Sequence, residues 1–201
     1  MKKTTVHIVP HTHWDREWYF QNTRATVYLI SQVNEVIETL QNHSKTYFYL
    51  FDAQSSLLED YLRFYPEKKA VLRQLISNRR LLFGPWYTQT DQLAISQESI
   101  VRNLYYGIDY AQEMGHSMKI GYCPDIFGQG GNLPQIYQSF GIHQVIFWRG
   151  IGNSKLSTTE FEWIGDDDTP ITALQIPFGY FYGANIPTAV SYTHLRAHET
   201  S

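Results

Sequence analysis

Apolar and polar positions along this chain follow two different periods. In residues 24–40 the apolar side chains Val27, Ile30, Val33, Ile37 and Leu40 recur every three or four positions, the spacing of one helix face. Residues 55–64 and 66–77 read as two further helices, the second with Pro66 near its first turn. Residues 96–114 predict another helix, with Ser96 and Ser99 as candidate caps and Gly115 as its stop; residues 132–140 predict a short one ended by Gly141. Between the helices lie short apolar runs that read as strands, at 5–10, 46–51, 81–88, 119–123 and 144–148. Gly84-Pro85 breaks or ends the third of these. Two more strands, 160–164 and 171–177, flank the turn at 166–170.

Strands that alternate with helices predict βα units and a mainly parallel sheet. The pattern suits an α/β fold of the incomplete (β/α) barrel type, with a doubly wound open sheet as the alternative. Both architectures gather functional groups at the C-terminal ends of strands. No internal repeat or low-complexity linker divides residues 1–190, which are expected to form one domain. Residues 191–201 follow a loop containing glycine and proline and carry no structural signal, and they are expected to be a non-native tail. The His194/His198 pair within that tail imitates a helical metal motif but lacks its context.

Composition narrows the partners. A formal net charge of −3 offers no nucleic-acid groove and no anionic membrane surface. The single cysteine, Cys123, excludes an internal disulfide and fits a reducing compartment. No apolar run has the length of a signal peptide or a membrane span, so a soluble cytoplasmic protein is the expectation. Aromatic residues make up 15% of the chain, which suits stacking on sugar faces and equally suits an aromatic-packed core.

Two stretches carry candidate chemistry. His11-Thr12-His13-Trp14-Asp15-Arg16-Glu17-Trp18 stands at the end of the first predicted strand. Alternate residues of extended backbone face the same way, so His13 and Asp15 project together as an imidazole nitrogen and a carboxylate oxygen, both suitable for zinc. His11 shares that side as a ligand or a supporting partner. Asp125, in Gly121-Tyr122-Cys123-Pro124-Asp125-Ile126-Phe127-Gly128, ends the fourth predicted strand. A carboxylate there must be solvated, capped or paired, and a metal would satisfy it. The glycines that follow, Gly128, Gly130 and Gly131, would let the backbone approach a ligand closely. No Gly-Lys-Ser/Thr follows them, so this is not a phosphate loop.

Together these stretches resemble the signatures of glycoside hydrolase family 38, the zinc-dependent retaining α-mannosidases. The likeness runs from about residue 4 to about residue 189 and includes Gly84-Pro85-Trp86-Tyr87-Thr88-Gln89-Thr90-Asp91. The Trp14-Asp15-Arg16-Glu17-Trp18 variant resembles the bacterial branch, which includes mannosylglycerate hydrolases. The resemblance implies an incomplete (β/α)7-type barrel, a mannoside substrate, and His13, Asp15 and Asp125 as zinc ligands. It implies that Asp125 is also the nucleophile, that Trp18 stacks under the sugar, and that Phe127 lines the pocket. Arg149, at the end of the fifth strand, would keep the nucleophile ionised; Asp91 and Tyr182 are further pocket candidates. The family's remaining zinc histidine and its acid/base carboxyl have no counterpart here, so the chain is expected to be an inactive N-terminal part of a longer enzyme. Homo-oligomerisation of that enzyme is left open. Two other readings compete: an amidohydrolase-type metal hydrolase using His11 and His13, and a non-catalytic sugar-binding domain.

Overall fold

The structure, a computed structural model, describes residues 5, 7–43, 47–152, 155–181 and 183–184. Tyr182, His194, His198 and the whole of 191–201 lie outside the described residues.

The long helix α1 (Asn22–Asn42) buries Leu29, Val33, Val36, Ile37 and Leu40. Val27, expected on that stripe, is 61% exposed. The inward face there carries Leu29, two positions further along. Helix α2 (Ser56–Phe64) buries Leu57, Leu58 and Tyr61, and a 3₁₀ turn at Pro66–Lys68 leads into α3 (Lys69–Ser77), which buries Leu72, Leu75 and Ile76. Helix α4 (Gln97–Met114) starts at Ser96, whose hydroxyl accepts the Ser99 N–H, and stops at Gly115, whose φ of +128° few side chains tolerate. A short helix, α5 (Leu133–Ser139), follows the glycine-rich stretch.

These helices cover two sheets. In the first, β1 (His11–Thr12), β2 (Tyr49–Phe51) and β3 (Leu81–Leu82) run parallel in the order β1-β2-β3, with His11 opposite Leu50 and Tyr49 opposite Leu81. In the second, β4 (Gly121–Cys123) and β5 (Gln144–Phe147) pair in parallel, β5 pairs in parallel with β7 (Pro170–Gln175), and β6 (Glu160–Ile164) closes the order β4-β5-β7-β6 as an antiparallel edge. The fold is α/β with parallel pairing dominant.

The first strand differs from its expectation. Pairing starts at His11, whereas the described residues 7–10 form no strand, and Ile8 is 61% exposed. The apolar run there finds no neighbour to bury it, and the Leu50 N–H reaches back only as far as the Pro10 carbonyl, 3.0 Å away. The third strand is likewise cut to Leu81–Leu82, before Gly84 turns at φ +71°.

Two clusters of buried side chains make the core. One gathers Leu29, Val33, Phe51, Leu58, Leu72 and Phe83 under the first sheet; the other gathers Trp86, Tyr122, Leu133, Tyr137, Val145 and Phe147 around the second. Helix α4 belongs to both, giving Ala111 and Met114 to the first and Ile100, Leu104 and Ile108 to the second. It crosses directly over the backbone of 85–87. A Cβ on Gly107 would stand 2.2 Å from the Trp86 carbonyl carbon, so only glycine fits.

Candidate active site

Each parallel strand hands its chain to the same edge. His13 follows β1, Asp52 follows β2, Asp125 follows β4 and Arg149 follows β5. At that edge His13, Asp15 and Asp125 present one imidazole nitrogen and two carboxylate oxygens within 4.8 Å of one another. His13 Nε2 lies 3.3 Å from an Asp15 oxygen and 3.7 Å from Asp125 Oδ2. It is buried and makes no hydrogen bond.

These donors fit a zinc ion. Zinc–ligand bonds of about 2.0–2.1 Å in tetrahedral geometry set neighbouring ligand atoms about 3.3–3.4 Å apart. The two distances from His13 Nε2, 3.3 and 3.7 Å, are close to that spacing. Two adjacent carboxylates also repel one another, and a divalent cation would offset that repulsion.

Electrostatics around His13 are strong. Burial is the largest single influence and disfavours its charge, but the hydrogen bond and charge of Asp52, together with Asp15, outweigh it and raise the pKa above the ordinary histidine value. The Asp125 carboxylate bears an ion pair to Arg149 through its other oxygen. The Arg149 guanidinium carbon stacks 4.1 Å from the Phe127 ring centroid and 4.5 Å from that of Trp148. Asp125 is thereby held between a cation and the imidazole.

Three expected residues fall outside this cluster. His11 Nε2 is 2.8 Å from the Tyr180 carbonyl, so its ring pins that backbone rather than joining the other donors. Asp91 is exposed on a turn, where its carbonyl accepts the Ala94 N–H. Trp18 is 69% exposed, stacked edge-on against Tyr19. Phe127, 67% exposed, does stand beside the cluster through Arg149.

The glycine-rich stretch runs close against two neighbouring side chains. A Cβ on Gly131 would meet the Asp166 carboxylate at 2.2 Å, and one on Gly128 would meet Leu93 at 2.3 Å. Cys123 is no nucleophile either. Burial pushes its thiol up to about 12, and it is bonded to Tyr137 and Gln92.

The family model described as "Glycosyl hydrolases family 38 N-terminal domain" matches residues 3–200. The chain belongs to glycoside hydrolase family 38. Among curated relatives of this family 38 chain, a "Putative mannosylglycerate hydrolase" of Halalkalibacterium halodurans is 35% identical over 198 residues, covering 92% of the chain and 22% of that protein. An "Alpha-mannosidase" of Saccharomyces cerevisiae is 24% identical over 189 residues, covering 90% of the chain and 17% of that protein. A solved α-mannosidase structure from Enterococcus faecalis superposes with a TM-score of 0.87 at 34% identity, over 90% of this chain and 21% of that one. The chain thus spans about a fifth of the length of the family 38 proteins it matches.

Sequence reasoning missed two residues of this family 38 site. Tyr180 sets its ring 4.5 Å from that of His13, and burial, followed by the Asp15 charge, raises its phenol pKa. Asp52 is fully buried and bonded to His13 Nδ1. The signal for Asp52 was present: an acid directly after the apolar run Tyr49-Leu50-Phe51, the same mark that singled out Asp125.

Proposed function

We propose that this chain is the N-terminal catalytic part of a zinc-dependent, retaining α-mannosidase, and that its two sheets are arcs of one (β/α)7-type barrel. One observation carries the reading: a buried, unpartnered His13 Nε2 beside Asp15 and an Arg149-paired Asp125, at the edge where the parallel strands end. His13, Asp15 and Asp125 would hold the zinc. When bound, the metal supplies a grip on sugar hydroxyls and favours distortion toward the oxocarbenium geometry.

The chain's own residues supply the nucleophile and part of the sugar pocket. An Asp125 carboxylate oxygen forms a bond to the anomeric carbon as the glycosidic bond breaks, and water later releases the sugar with net retention. Arg149 keeps the attacking group charged and oriented until then. Phe127, exposed and backed by the guanidinium, offers an apolar wall to the sugar, and Trp18 a stacking face. We assign no residue of this chain to the acid/base role that protonates the leaving oxygen. The rival metal-hydrolase scheme needs both His11 and His13 on the metal, and the His11 bond to the Tyr180 carbonyl argues against it.

The test uses the complete enzyme carrying this sequence. A chelator should abolish turnover of an aryl α-mannoside, and added zinc should restore it. Asp125→Asn should remove nucleophile and ligand together, with a far larger loss than Asp91→Asn. A slow fluoromannoside should label Asp125. Turnover untouched by chelation would end the zinc role, and a label on another carboxylate would end the assignment of the nucleophile.

A further inference from the structure

Asp52 has no place in the scheme above, yet among the described residues it is the one buried acid. It is fully buried, and it sits with φ at +40° directly before Ala53 at φ +55°, two consecutive left-handed positions without a glycine. That corner aims its carboxylate at three donors. His13 Nδ1 is 3.0 Å from Oδ1, the Trp14 N–H donates to Oδ2 at 3.0 Å, and Gln54 Nε2 donates to Oδ2 at 2.7 Å.

The groups around the carboxylate are fixed in turn. Gln54 Nε2 also donates to the Trp14 carbonyl, and its Oε1 accepts from Thr88 Oγ1 and the Gln89 N–H, each at 3.0 Å. Gln89 Nε2 donates to the Asp52 carbonyl at 2.9 Å and to the Tyr122 carbonyl at 3.1 Å. Side chains thereby tie together the C-terminal ends of β1, β2 and β4 and the segment after β3 behind the cluster. A turn that merely needed stability would not require a buried charge, since an uncharged acceptor costs less to bury.

Resting on the zinc reading, the geometry points to Asp52 as the positioning residue that fixes the ring orientation and tautomer of His13 for metal binding. A carboxylate only accepts, so the proton is drawn to Nδ1 and the Nε2 lone pair is turned toward Asp15 and Asp125. The negative charge also makes the imidazole a stronger donor. Asn cannot do the same work. With its oxygen accepting from the Trp14 N–H and Gln54 Nε2, its NH₂ would face His13 Nδ1 and favour the opposite tautomer, with the proton on Nε2 in place of the lone pair a metal needs.

The experiment measures zinc affinity of the full 201-residue chain by competition with a chromophoric chelator. Asp52→Asn is expected to weaken zinc binding by about 10–100-fold. A purely structural role would lower thermal stability while leaving the affinity of the folded fraction unchanged. A second measurement needs no variant: imidazole ¹⁵N spectra of the zinc-loaded, unmutated chain should show His13 protonated at Nδ1 and metal-bound at Nε2. Metal on Nδ1, or a folded Asp52→Asn chain that binds zinc as tightly as the unmutated one, would overturn the role of Asp52 and leave the metal site standing. An unmutated chain that binds zinc no better than His13→Ala would overturn the metal reading itself, and the role of Asp52 with it.

Discussion

A methyl group added at Gly107 would test how the site is supported from behind. In an open helix, Gly→Ala stabilises by about 1 kcal/mol. Here the new carbon would lie 2.2 Å from the Trp86 carbonyl carbon, 2.3 Å from the Pro85 oxygen and 2.3 Å from the Tyr87 nitrogen. Ordinary contact is about 3.5–4.0 Å, so α4 must lift from the segment by roughly 1 Å or more. Overpacking of this kind costs about 1–3 kcal/mol, and backbone atoms cannot rotate aside as a side chain would. The Tyr87 N–H also bonds to the Asn103 carbonyl and, at 2.8 Å, to its side-chain oxygen. Loosening those bonds adds about 1 kcal/mol or more. After the helix-propensity gain is subtracted, Gly107→Ala should destabilise the chain by about 1–3 kcal/mol. Urea unfolding followed by tryptophan fluorescence reads the effect, since Trp86 is buried. An unchanged or higher midpoint would show that the close approach of α4 to 85–87 is wrong.

Other outcomes follow from the same geometry. His13→Ala should abolish specific zinc binding while His11→Ala leaves most of it, because His11 bonds to the Tyr180 carbonyl; equal losses measured by chelator competition would revive a two-histidine site. Cys123, with its pKa raised from the ordinary 9.0 to about 12, holds its proton throughout the range below that value, so alkylation by iodoacetamide at about pH 8.5 should be slow until the chain unfolds. Rapid labelling of the folded chain, followed by mass spectrometry, would contradict its burial. Trp86→Ala should cost about 3–5 kcal/mol in a urea titration, since the ring is 1% exposed and its N–H reaches the Tyr122 carbonyl. Removing the exposed Lys69–Glu113 pair should change the midpoint by no more than about 1 kcal/mol.

The sequence revealed element types well and boundaries poorly. The helix 96–114 was legible at both ends because Ser96 and Gly115 act locally, through a hydroxyl bond and a permissive φ. The first strand was not, because an apolar run becomes a strand only where a neighbour offers its backbone, and β2 begins to do so at His11. In the site, Asp15 and Asp125 were visible as acids in places where acids need a reason. Asp52 shared that mark, but its partner lies 39 residues away, a contact that no local pattern encodes. The glycines at 128 and 131 also lie against the side-chain ends of Leu93 and Asp166, neighbours that no local pattern encodes.

Helix α4 sits in both buried clusters, so neither half of the molecule can open without exposing part of the other's interior. Unfolding is therefore expected to be a single cooperative transition rather than the successive melting of two lobes. That bears on chemistry, because His13 comes from one half and Asp125 from the other. If the halves breathed independently, the 3.7 Å separation between these two residues would fluctuate, and a metal held across it would be lost with each excursion. The shared helix removes that low-energy opening, and the span across which a ligand must be gripped is set by the global stability of the domain.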